Sequence, residues 1–559
     1  MTNREVAYIL DKIADILQIK EDNSFKVRAY RKAAQSVYHL DEDIRTLYMN
    51  KQLSDIPGVG TGVEKKIVEM MEKGSCEYYE LLLKEIPPGL LEMLTIPGLG
   101  HKTVKVIYEQ LGIDNLNDLL QAAQQKKIRN LPGLGGKTEY NIKKGIELLN
   151  QRHGQITLGM ALPLAQDFCT YLLSLDIVQN ASIVGSVRRG KPLVGDIDIL
   201  VATWSYEKVK ERVANYKGIK LILSEEKDCI KGMLNFNIEF EVIMIAPDDY
   251  YGKLLWTTGS KEHRTRVREL GFDEDRFVGA TSEEEIYEQL GLNYIYPELR
   301  ENKGEIEAAQ EGQLPKLIDM SDLKGDLHVH SDWSDGAHKI QDMVETARQM
   351  GYSYLAITDH SKSLPISGGL NEDRLRAQSR VIEEINKNVK DIFVLKGIEV
   401  DILRDGRLDF ESEILSELDI VVASIHSNFK LDREKQTERI INAIKNPHVN
   451  IIGHLSGRLL NRRSGYEIDV EKILEEAGRN QVALEINSHP DRLDIDEDTA
   501  RKARDMGVKI AINSDAHDKN DLKLQIYGII NARRGWLEKD DIINTWDKQR
   551  LMNFLRKKD

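Results

Sequence analysis

Asp196 and Asp198 stand one residue apart in an apolar run, Gly195 to Val201, that reads as a β-strand. Side chains alternate across a strand, so both carboxylates project from one face. Like charges placed so closely repel unless a cation neutralises them, and a divalent metal bound to a phosphate does this well. Upstream, Gly185-Ser186-Val187-Arg188-Arg189 interrupts the apolar run Ser182 to Val184. The backbone amides of Gly185 and Ser186, with the two guanidinium groups, offer donors to a phosphate. A lone D-x-D more often marks the solvated face of a hairpin; the Gly-Ser-x-Arg-Arg lead-in turns the reading toward metal–phosphate chemistry.

A second set of ligand-type side chains lies downstream. Nine of the thirteen histidines follow residue 315, and most of them end an apolar run. Seven such runs are legible, at 326–330, 354–360, 393–401, 419–426, 450–454, 482–487 and 508–517. Their ends carry His328, His330, Asp335, His360, Glu399, His426, His454, Asp515 and His517. A single histidine at a strand end is more often a satisfied core residue, but nine residues of ligand type at six strand ends make a metal site the better reading. Imidazole and carboxylate together suit Mn²⁺, Zn²⁺ or Fe²⁺. Glu485, Asn487 and His489 read as supporting rather than ligating, and Arg458, Arg462 and Arg463 as either a DNA-backbone contact or a solvated turn.

The elements that must position these groups differ along the chain. Charged helical segments separate most of the seven runs, and strand-then-helix repetition with polar strand ends predicts a β/α barrel whose ligands converge at its C-terminal face. Residues 1–150 read instead as short helices joined by glycine turns, with Val6, Ile9, Leu10, Ile13, Ile16 and Leu17 at helical spacing. Within them IPGVG (56–60), IPGLG (96–100) and LPGLG (131–135) repeat, each followed by a basic helical stretch. Gly58, Gly60, Gly98, Gly100, Gly133 and Gly135 would let helices pack around a tight turn and expose amides able to grip a phosphate. Three copies resemble helix-hairpin-helix motifs, which bind DNA backbone without reading sequence.

With 559 residues and 41% hydrophobic content the chain has room for several cores. No run approaches 18 apolar residues, Met1 to Lys20 has no signal-peptide core, and three scattered cysteines form no framework, so a soluble cytoplasmic protein is expected. The net charge of −14 lies wholly beyond residue 150, since residues 1–150 carry 21 basic and 21 acidic side chains. Acidic metal sites account for part of that excess, so a nucleic-acid partner stays open.

FKVRAYRKAA, IPGVGTGVEKKI, GSVRRGKPLVGDIDIL, YYGKLLWTTGS and a segment ending PELREN follow in order the landmarks of family X DNA polymerases, over about residues 1–310. The resemblance implies a lyase-type helical region (1–90), fingers (91–154), a nucleotidyltransferase palm (155–247) and a thumb (248–315). It places Glu241, where the family usually has aspartate, as the third carboxylate beside Asp196 and Asp198, holding Mg²⁺ or Mn²⁺ for two-metal phosphoryl transfer. It implies that Gly185, Ser186, Arg189, Trp256, Gly259 and Arg268 bind the incoming nucleotide. It also puts Lys66 at the Schiff-base lysine that removes a 5′-deoxyribose phosphate, with Lys26 and Tyr30 on the DNA. Phe25 and Gly62 replace usually basic neighbours of that pocket. Trp256-Thr257, Arg264 and Val194 depart from the family's Tyr-Phe, asparagine and serine.

Beyond a linker (316–325), residues 326–559 resemble a PHP (polymerase and histidinol phosphatase) domain, a seven-stranded barrel with three metals, and all nine ligand positions match. The resemblance groups His328, His330, Glu399 and Asp515 on one metal, a bridging Glu399 with His426 and His454 on the second, and Asp335, His360 and His517 on the third. A family X core fused to such a barrel is the arrangement of bacterial PolX proteins. It implies a monomeric repair enzyme that takes gapped or nicked DNA with a 5′-phosphate, fills short gaps from dNTPs, and trims 3′ ends as an exonuclease. AP endonuclease and 3′-phosphatase activities are further implied options. Two rival readings are a barrel phosphatase for small molecules and a gap-binding nuclease with a vestigial polymerase site.

Overall fold

The computed structural model describes residues 1–556 except 2, 39, 41, 97–98, 152–153, 236–237 and 365–366. Of the six hairpin glycines, Gly98 lies outside the described residues.

Between residues 3 and 151 the described residues form short helices joined by turns. The Asn3–Ile19 helix buries the stripe Val6, Leu10, Ile13 and Leu17 against the Ser24–Tyr38 helix, and one apolar core runs on from there to Ile142 and Ile146 beneath the later hairpins. Gly58 adopts φ +85° where a Cβ would lie 2.9 Å from Lys32 Cγ, so only glycine lets the first turn close on its neighbouring helix. Gly60 and Gly100 are the N-caps of the Thr61–Lys73 and His101–Leu111 helices; neither has a side-chain cap, and open space surrounds both.

A five-stranded sheet follows. Its strands are β1 (Asn180–Ile183), β2 (Asp196–Ala202), β3 (Ile219–Glu225), β4 (Cys229–Leu234) and β5 (Ile238–Ile245), in the order β1-β2-β5-β4-β3. Strand β2 runs parallel to β5 and antiparallel to β1. Ile197, Ile199, Phe240 and Val242 point into the core shared with Phe168 and Leu172, which leaves Asp196, Asp198, Glu239 and Glu241 on the open face.

The C-terminal unit is a seven-stranded parallel sheet with helices between its strands: β6 (Gly325–Val329), β7 (Tyr354–Ile357), β8 (Phe393–Asp401), β9 (Ile420–Ser424), β10 (Ile451–Ile452), β11 (Ala483–Asn487) and β12 (Ile510–Asn513). Successive strands pair in sequence order, and a parallel bridge from Val329 to Ala516 brings the ends together into a nearly closed barrel. All seven predicted runs carry these strands.

The stretch 316–325 is not a free tether. Ile318 and Leu323 are buried in the barrel core, Leu317 bridges to Glu538, and Arg533 Nη1 donates to Ile318 O at 3.0 Å. Its polar composition conceals three apolar residues that dock. No helix among the described residues is long and apolar enough to cross a membrane, and Cys76, Cys169 and Cys229 are free and buried.

Candidate active sites

On the open face of the five-stranded sheet, Asp198 lies in register with Glu241, and Asp196 with Glu239. The loop before β2 wraps this acidic patch. Gly185 has φ +62°, and a Cβ there would fall 2.1 Å from Asp198 Oδ2, so the loop reaches the carboxylate only as glycine. Together with Ser186, Arg189, Thr257, Gly259, Lys261 and Arg264, the three carboxylates line a cavity of about 310 Å³. Ser186 Oγ is buried and has no hydrogen-bond partner, a donor left free for a ligand. Burial, then Asp196 and Glu241, push the Asp198 carboxyl up to about 7 despite Arg189 and Lys231 nearby. Crowded carboxylates of this kind are relieved by a divalent cation, so the residues fit one.

Several neighbours differ from expectation. Arg188 does not face the cavity: it pairs with Glu283 at 2.6 Å and donates to Thr258 Oγ1 at 2.6 Å. Arg189 lines the cavity, but its Nε is tied to Glu301 at 2.9 Å and its Nη1 to Thr258 O at 2.7 Å. Trp256 and Arg268 lie outside the lining. Trp256 stacks on Phe272 at 5.4 Å, and Arg264 and Arg268 sit over its ring at 5.3 and 4.3 Å. Missed from sequence were Lys231 and Cys229, which close on Glu241 Oε1 at 3.2 and 3.1 Å from the antiparallel strand β4. Cys229 and Lys231 are spaced two apart on β4, the period of one strand face.

In the N-terminal region Lys66 Nζ donates to Gly62 O at 3.1 Å and lies 4.6 Å over the Tyr78 ring, with Lys26 Nζ over the same ring at 5.2 Å. Tyr30, expected on the DNA, is 4% exposed and stacks on Tyr78, so it supports this basic patch from beneath. Gly133 takes φ +73° at the third turn, and Gly135 stands in open space before the Gly136–Gln151 helix.

At the C-terminal end of the barrel all nine predicted ligands converge. Glu399 is the centre: His328, His330, His360, His426 and His454 each place a ring nitrogen 2.8–3.6 Å from its carboxylate. Burial raises this carboxyl, but His426, His360 and His328 overcome that and hold it well below the usual range. Asp515 lies 3.1 Å from His330, and Asp335 bridges His360 and His517 at 3.5 and 3.4 Å. Three donor groups are close enough to hold an ion: His330-Asp335-His360-His517, His328-His330-Asp515 and His360-Glu399-His426. His330 and His360 each fall in two of these groups. His328 Nε2, His330 Nδ1, His454 Nδ1 and Glu399 Oε2 are buried with no hydrogen-bond partner, which fits a site built for metal. His454 and Asp515 also have left-handed backbones, φ +27° and +55°, a strain tolerated where a ligand must be aimed.

Supporting side chains orient these ligands. Glu485 accepts from His328 Nδ1 at 2.7 Å and from the His454 backbone at 2.9 Å; Asn487 donates to Asp515 at 2.9 Å. Asp401, not anticipated, takes His426 Nδ1 at 3.2 Å, although the pattern Glu399-x-Asp401 on one strand face was there to be read. Asp359, buried beneath Ser331, Ser334 and Gln378, fixes the loop after β6.

Comparison with known proteins matches this geometry. Residues 1–76 match the helix-hairpin-helix domain, 90–147 the SAM-like helix-hairpin-helix tandem, and 326–489 the PHP domain. The DNA polymerase/3′-5′ exonuclease PolX of Bacillus subtilis is 34% identical over 575 residues, covering 100% of both chains. The chain belongs to the PolX family. This PolX family member is also similar to a probable phosphatase of Thermoanaerobacter sp., 33% identical over 42% of this chain and 94% of that one. A probable phosphatase of Caldanaerobacter subterraneus is 36% identical over 34% of this chain and 75% of its own length. The acidic sheet face and the histidine-rich end of the barrel are two separate clusters on one chain.

Proposed function

We propose that this PolX family member is a monomeric cytoplasmic repair enzyme that fills short DNA gaps at the Asp196-Asp198-Glu241 face and trims 3′ ends in the barrel. The observation that carries the reading is the presence of two complete and chemically different centres, three carboxylates beside an anion-donor loop and nine converging imidazoles and carboxylates, on a chain with helix-hairpin-helix domains.

Asp196, Asp198 and Glu241 would hold Mg²⁺ or Mn²⁺, and the bound metal would supply charge neutralisation and Lewis acidity at the transferring phosphoryl group. The chain's own work is orientation. Gly185 and Ser186 line the cavity as donors to a triphosphate, and Arg189 and Lys261 add positive charge to it. In the barrel the nine ligands would hold divalent metals of the Mn²⁺, Zn²⁺ or Fe²⁺ type, which supply Lewis acidity for phosphodiester hydrolysis. Glu485 and Asp401 fix the ring orientation of His328 and His426.

The test is extension and degradation of a 5′-phosphorylated one-nucleotide gap, with and without dNTPs. Asp198→Ala should abolish extension alone, and His328→Ala with Asp515→Ala should abolish 3′ degradation alone. Degradation that survives the barrel double variant with Mn²⁺ would sink the nuclease assignment. A second reading, hydrolysis of a small phosphate ester, is favoured by the phosphatase relatives; loss of DNA binding on deleting residues 1–150, without loss of DNA hydrolysis, would support it. Lys66, beside Lys26 on Tyr78, would meet a 5′-deoxyribose phosphate, and borohydride trapping that Lys66→Ala fails to reduce would remove it from that role.

A further inference from the structure

The loop that lines the nucleotide cavity is backed by the barrel. Gly190, directly after Arg189, has φ +65°, and a Cβ there would lie 2.1 Å from Ile530 Cγ2 on the Gln525–Arg534 helix of the barrel. Four residues on, on the same face of that helix, Arg534 is buried and reaches into the same loop. Its Nη1 donates to the Arg189 carbonyl at 2.8 Å and to Glu301 at 3.2 Å, while Nη2 donates to Glu497 at 2.8 Å. Glu301 is also the acceptor for Arg189 Nε at 2.9 Å. Arg534 thus grips Arg189 twice, once through its backbone and once through the carboxylate that orients its guanidinium. The surrounding packing is continuous: Leu524 and Tyr527 of the barrel share one apolar core with Val187 and Val194 of the loop region.

A charged side chain buried between two centres is costly unless its partners satisfy it, and here every partner belongs to the loop, to the segment ending the thumb or to the barrel itself. We propose that Arg534, although carried by the barrel, is a positioning residue of the polymerase centre: it holds Arg189 where the triphosphate of an incoming nucleotide is received. This rests on reading the 310 Å³ cavity as the nucleotide pocket. Ion pairs that fix a neighbouring guanidinium act on substrate binding more than on the chemical step, so the expected signature is a split between KM and kcat.

The test compares the unmutated full-length chain with Arg534→Met, Arg534→Lys and Glu301→Gln on gapped DNA. A fluorescent dNTP titrated with Ca²⁺ reports binding without turnover, and steady-state extension gives KM and kcat. Arg534→Met should weaken dNTP binding and raise KM by about tenfold, change kcat far less, and leave 3′ degradation in the barrel intact. Arg534→Lys should recover part of the loss, and the Arg534→Met/Glu301→Gln double variant should lose less than the two single effects combined. Unchanged dNTP affinity in Arg534→Met with barrel activity intact overturns the proposal. If Arg534→Met does not fold, Glu301→Gln that folds and keeps full affinity overturns it equally. An unmutated chain that binds dNTP but never extends would defeat the gap-filling reading, while the affinity comparison still decides the role of Arg534.

Discussion

Asp198 and Glu241 face each other in register on adjacent parallel strands, with Lys231 Nζ 3.2 Å from Glu241 on the far side. Removing the carboxylate should misplace the reacting groups: Glu241→Ala is expected to lower dNTP insertion by about a hundredfold. Asp198→Ala should lower it at least as much, and neither should affect 3′ hydrolysis. Single-turnover insertion on a one-nucleotide gap measures this, and full insertion by Glu241→Ala would show that two carboxylates suffice.

Glu485 touches two barrel ligands without being one of the nine predicted. Glu485→Gln keeps the shape but gives His328 Nδ1 a weaker acceptor, so metal affinity and exonuclease rate should fall by roughly 10- to 100-fold. Metal content after dialysis and the rate of 3′ degradation check this. Extension should not change.

The carboxyl of Glu283 is raised by burial but lowered more by Arg300 and Arg188, which hold it at about 2 against an ordinary 4.5. A depressed acid stabilises the fold above its unfolded pKa and loses that contribution as pH falls through the folded one, here from about 4.5 toward 2. Glu283→Gln leaves Arg300 buried without its counter-charge, a loss of about 3–5 kcal/mol at neutral pH. Urea unfolding at pH 7 should show that gap, and it should shrink steadily below pH 4.5. A gap that does not vary with pH would contradict the ionic account.

Chelation should destabilise the barrel, since a bound cation would satisfy its unpartnered ring nitrogens and the crowded Glu399 centre. At a metal concentration a hundred times Kd, binding adds about 2.7 kcal/mol of stability. The melting temperature should therefore fall after EDTA treatment and return with added Mn²⁺. His328→Ala with Asp515→Ala should show little response to either.

Strand alternation and strand ends made much of both centres legible in the sequence. Asp196 and Asp198 declared a shared face because a strand has period two, and the nine barrel ligands declared themselves because parallel β/α strands all end on one side. Glu241 needed the family resemblance, since nothing local says which two strands will pair. Local pattern did not separate the two guanidiniums of the loop, although the family resemblance pointed to Arg189. Arg188 and Arg189 looked equivalent in Gly-Ser-x-Arg-Arg, yet one turns to Glu283 and the other to Glu301 and the cavity. The tertiary structure alone brought Arg534 to the carbonyl of Arg189 across 345 residues. Local pattern fixes which face a side chain takes on its own element. Which buried charge it meets there depends on how the elements pack, because each buried ion must find its partner wherever the fold supplies one.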